Sequence, residues 1–110
     1  MAEYMFKLMA KWKFKSECIS SISEKLDSDK SARAYAIRMI KAHENEIPTD
    51  VDVVIRKKSM LARSTQNVGV VLSNDFKAGK RIFKYLDSKN TEKGNYETKP
   101  LNLDGSFKGY

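Results

Sequence analysis

The chain has 110 residues, enough for one domain and too few for two comfortable ones. Apolar residues make up 41%, which supports one modest core, while Lys and Arg outnumber Asp and Glu by 21 to 14. The resulting formal charge of +7 suggests an anionic partner; a single cysteine, Cys18, excludes an internal disulfide framework, and no apolar run approaches the ~20 residues of a membrane span, so a cytoplasmic protein without a signal peptide is expected.

Residues 4–15 alternate almost without a break. Tyr4, Phe6, Leu8, Ala10, Trp12 and Phe14 fall on one side of a strand, and Lys7, Lys11, Lys13 and Lys15 on the other. Aromatic enrichment also favours a strand over a helix, so the rings are expected in the core and the lysines outside it. With the faces reversed, Phe6, Trp12 and Phe14 would be available for base stacking.

After Ser16 the period changes. Ile19, Ile22 and Leu26 recur at helical spacing and predict a short helix, followed by a turn near Asp27 to Asp29. Ala32, Tyr35, Ala36, Met39, Ile40 and His43 then predict a long helix, capped by Ser28 or Asp29, reaching about Asn45 and ended by Pro48. Ile37 falls on its polar side and marks a candidate protein contact.

Val- and Ile-rich residues 50–58 predict a strand, and "VGVVLS" from Val68 to Ser73 a second, paired with it as a hairpin after turn chemistry at Ser64 to Asn67. Asn74 or Asp75 is expected to cap a last helix reaching Leu86, with Phe76, Gly79, Ile82, Phe83 and Leu86 on its apolar side. Residues 1–88 are thus expected to form one α+β domain, and residues 89–110 a polar segment with an edge strand near Pro100 and a loose tail that Phe107 or Tyr110 can anchor. The element order fits an antiparallel sheet with helices on one face, as in a ferredoxin-like split βαβ arrangement.

Charge is unevenly distributed. Residues 53–86 carry eight basic side chains and one acid, Asp75, while 1–15, 16–52 and 87–110 carry +3, −3 and zero. On the expected last helix, Lys77, Lys80, Arg81 and Lys84 share about a third of the circumference. Arg56, Lys57, Lys58 and Arg63 cluster in the preceding hairpin, where the arginines can make forked contacts with phosphate. These eight residues form the candidate phosphate-contacting set of a small regulatory nucleic-acid-binding protein, DNA or RNA, without enzymatic activity. The alternative is an inhibitor or adaptor module that docks on an acidic protein.

Catalytic and cofactor signatures are weak. One His and one Cys do not make a usual zinc set, and the Gly-Lys pair at 79–80 lacks the glycine spacing of a phosphate loop, so no metal or cofactor is expected. Asp50 and Asp52 share a strand face beside Arg56 and can be imagined holding Mg²⁺ for phosphoryl chemistry, but solvation of a strand start explains them better.

Overall fold

The alternating N-terminal run folds as the strand it predicts, β1 (Ala2–Lys11), with Tyr4, Phe6, Leu8 and Ala10 buried and Lys7 and Lys11 exposed. It belongs to a six-stranded sheet in the computed structural model of the protein. The structure describes residues 2–44, 46, 50–58, 64–77, 80–88 and 97–109, with backbone only at 74–77. The strand order is β2-β1-β3-β4-β5-β6, every neighbouring pair antiparallel, where β2 is Ser16–Leu26, β3 Asp50–Lys58, β4 Thr65–Lys77, β5 Lys80–Asp87 and β6 Lys99–Pro100.

One helix, α1 (Asp29–Ala42), covers one face of this sheet. The Ser28 Oγ accepts from the Ser31 N–H at 3.1 Å, Asp29 lies in the first turn and Lys41 in the last, each on the favourable end of the helix dipole. Its buried Ala32 and Ala36 allow close approach to the strands below, with Ile40 in the same core and the Tyr35 ring 4.6 Å from that of Phe6. Ile37 is a correction: at 1% exposure it belongs to the core. It shares a helix flank with Arg33 and Ala34, and the C-terminal run packs against that flank. The expected end near Asn45 and Pro48 lies outside the described residues; the last helical residue is Ala42, with His43 as its C-cap.

Two expected helices are strands. Residues 16–26 form β2 against β1 in place of a short helix. Four serines in eleven residues are poor helix material, and the outer edge of β1 offers its N–H and C=O groups to whatever lies beside it. Residues 80–87 likewise form β5, so Asn74 and Asp75 lie within β4 rather than at a helix start. Phe83 and Tyr85 alternate with half-buried Ile82, Lys84 and Leu86, a period of two in residues with high strand propensity.

Because β2 and β3 both run antiparallel to β1, they are parallel to each other, and α1 connects them across it. The fold is thus α+β and dominated by its sheet: β2, α1 and β3 pass over β1, and an antiparallel meander runs from β3 to β6. The C-terminal run is stitched to this frame. The Leu101 N–H donates to the Phe83 carbonyl at 2.9 Å, and Leu101 is 2% exposed. Gly105 lies against α1 at φ +86°, where an added Cβ would sit 2.4 Å from the Lys30 carbonyl oxygen; only glycine serves both demands. No helix of the described residues is long and apolar enough to cross a membrane.

Candidate nucleic-acid interface

The face opposite α1 carries no covering element among the described residues. Strand registry arranges its side chains in rows. One row runs Ser23, Met5, Arg56, Asn67; the next Ser21, Lys7, Val54, Val70, Leu86; a third Cys18, Met9, Asp52, Leu72, Lys84. Met5, Met9, Val54, Val70, Leu72 and Leu86 are only half-buried. Of these, Met5, Met9 and Val54 floor a shallow hollow of about 480 Å³, rimmed by Lys7, Arg56, Ser21 and Asn67. The floor is aliphatic and thioether; the sheet's described aromatic side chains, Tyr4, Phe6, Phe83 and Tyr85, all point to the helix side.

Cations outnumber acids on this face. Lys7, Lys25, Arg56, Lys58 and Lys80 are exposed and Lys84 is half-buried. Among the described side chains the acids are Glu3, Asp50 and Asp52, and Asp52 is 8% exposed with its Oδ2 2.6 Å from the Lys11 ammonium. The Lys11 ammonium thus lies against one of the two carboxylates named in the Mg²⁺ reading. No group of three or more His, Cys, Asp or Glu suited to a metal occurs among the described residues.

The eight predicted contact residues do not form one cluster. Arg56, Lys58, Lys80 and Lys84 share the helix-free face, but Lys58 and Lys80 sit near opposite ends of it, ten residue steps or roughly 33 Å apart along the strands. Arg81 is a correction: it is 8% exposed on the helix side, its Nη1 donating to the Ser73 carbonyl at 3.5 Å. A helix would have set Arg81 beside Lys80 and Lys84; a strand sends it through the sheet. Lys57 is likewise on the helix side, its ammonium 5.6 Å from the Tyr4 ring centroid. Arg63 and the Lys77 side chain lie outside the described residues.

Lys57 borders a second, more polar cleft of about 320 Å³ beside the N-terminus of α1. Arg33 stacks there, 4.4 Å from the Phe107 ring centroid and 5.3 Å from that of Tyr85, while its Nε donates to the Gly105 carbonyl at 2.8 Å. The Tyr85 hydroxyl donates to the Val68 carbonyl at 2.8 Å, and burial pushes its pKa up to about 12, with the Asp87 charge adding to the effect. The Tyr4 hydroxyl donates to Asp29 at 2.5 Å; burial first and this bond second raise its pKa above the ordinary tyrosine range. These groups are largely committed to one another, so the cleft reads as a structural junction between α1, β5 and the C-terminal run.

Trp12 and Phe14 correct the sequence reading. The strand stops at Lys11, and the Trp12 N–H donates to the Lys15 carbonyl at 2.8 Å, closing a hairpin turn to β2. Trp12 is 36% exposed and Phe14 91%. Alternation of ring and lysine continues through the turn and so disguised it; the change of period at Ser16 and Glu17 was the available signal. Lys7 was legible as an outward lysine, but its company on β3 and β5 was not. No family model, curated protein or solved structure matches the chain.

Proposed function

We propose that the chain is a small regulatory nucleic-acid-binding module without catalytic activity of its own, acting in the cytoplasm and contacting the phosphate backbone through the helix-free face of its sheet. The observation that carries this reading is the charge on that face: β1, β3 and β5 contribute Lys7, Arg56, Lys58, Lys80 and Lys84 to one side of the molecule, against few carboxylates. Cations spaced over about 33 Å suit a polyanion better than a compact ligand. Arg56 can make a forked contact with a phosphate, while the lysines act as point charges.

The half-exposed floor of Met5, Met9 and Val54 favours a second reading, an adaptor or inhibitor surface for an acidic protein segment with an apolar centre. The experiment compares wild type with the Lys7→Glu, Arg56→Glu, Lys84→Glu variant by fluorescence anisotropy of a labelled oligonucleotide. Binding is expected to be lost in the variant and retained in Lys57→Glu, whose substitution is on the other side of the sheet. Unchanged binding in the triple variant rejects this face. Pull-down partners that survive nuclease treatment, with no oligonucleotide binding, favour the acidic-protein reading.

A further inference from the structure

The hairpin between β1 and β2 presents "KWKFK", Lys11 to Lys15, at one end of the sheet. A ring that is 91% exposed is an unusual use of phenylalanine, because burying it would stabilise the fold. Phe14 has no core role to explain it. Lys13 holds its ammonium 5.4 Å from the Phe14 ring centroid, and Lys15 is exposed one residue on. Lys11 is engaged by Asp52, and Glu17 accepts from the Trp12 indole N–H at 3.2 Å.

We infer that this hairpin tip is a base-stacking site that makes the protein select single-stranded over duplex nucleic acid. The inference rests on the nucleic-acid reading and adds the class of strand. Phe14 offers a ring for an unpaired base, and Trp12 is accessible beside it, while Lys13 and Lys15 meet the flanking phosphates. Among the described residues the helix-free face has no aromatic ring to stack on, so it supplies phosphate contacts; the tip supplies a ring. In a duplex the base faces are already stacked on one another and the tip gains nothing. An anionic membrane is the less fitting partner. Of the two rings at the tip Phe14 alone is largely exposed, the indole N–H is tied to a carboxylate, and β2 beside the tip starts with serine and glutamate.

Trp12 is the only tryptophan, so its fluorescence reports the tip directly. Titration with an unstructured oligothymidylate is expected to quench it and to show tighter binding than a duplex of equal length. Phe14→Ala should weaken single-strand binding by about tenfold and leave duplex binding and the thermal midpoint unchanged. Equal affinity for both strands in wild type, or no effect of Phe14→Ala, overturns the inference while leaving the phosphate-binding reading in place. No binding to either nucleic acid overturns both. Binding to phosphatidylserine vesicles that Phe14→Ala abolishes, with oligonucleotide binding unaffected, assigns the tip to a membrane and also overturns it.

Discussion

Tyr4 and Tyr85 show how single residues can make this fold sensitive to alkali. Each is buried with its hydroxyl committed, Tyr4 to Asp29 and Tyr85 to the Val68 carbonyl. Both pKa values lie above the ordinary value near 10, that of Tyr85 at about 12. The folded chain therefore holds these protons more tightly than the unfolded chain does, and raising the pH favours unfolding. Their contribution should be complete below pH 10 and be lost as the pH climbs towards 12. Urea midpoints measured across that range should be flat and then fall, with a shallower fall in Tyr85→Phe. Gly69 is part of the same arrangement: a Cβ there would lie 2.4 Å from the Tyr85 hydroxyl oxygen, so the bare backbone gives the ring its seat.

At the scale of elements, α1 is held by its start and by the small residues along its buried side. The Ser28 cap satisfies one of the N–H groups that the first turn leaves without a helical partner. Ser28→Ala should destabilise the protein by about 1 kcal/mol, read as a lower urea midpoint with an unchanged slope. The hairpins are held differently. β2 is the mostly exposed edge of the sheet and contributes little to the core beyond Ile19 and Leu26, whereas β5 buries Phe83 and Tyr85. The register shift between Leu8 and Met9 sits where β2 passes Ile19; such a bulge also makes an exposed edge a poorer template for another strand.

For the molecule as a whole, the sheet separates two kinds of surface. On one side α1 and the C-terminal run enclose the core; on the other, cations surround a partly apolar floor. Positive charge is thus concentrated on the side that no helix covers. If Lys7, Arg56, Lys58, Lys80 and Lys84 each neutralise one phosphate, the plot of log affinity against log salt should have a slope of roughly −4 to −5 on duplex DNA and roughly −3.5 on a single strand. A slope near zero would mean that affinity arises from the apolar floor.

The N-terminal strand, the helix after Ser28 and the strand at 50–58 were legible from their residues, because each pattern satisfies one period clearly and fails the other: Tyr4, Phe6, Leu8 and Ala10 alternate, and Ala32, Ala36 and Ile40 do not. The excess of basic charge after residue 52 was legible too, as a count. The period of residues 16–26 and 80–87 was not, since Ile19, Ile22 and Leu26 fit a helix while the open edges of β1 and β4 required strands as neighbours. That requirement comes from backbone hydrogen bonds to the strand alongside, and the side-chain period of the segment itself does not contain it. Only the tertiary pairing could therefore decide that Arg81 enters the core while Lys80 and Lys84 stay outside, and that the aromatic run ends in an exposed turn.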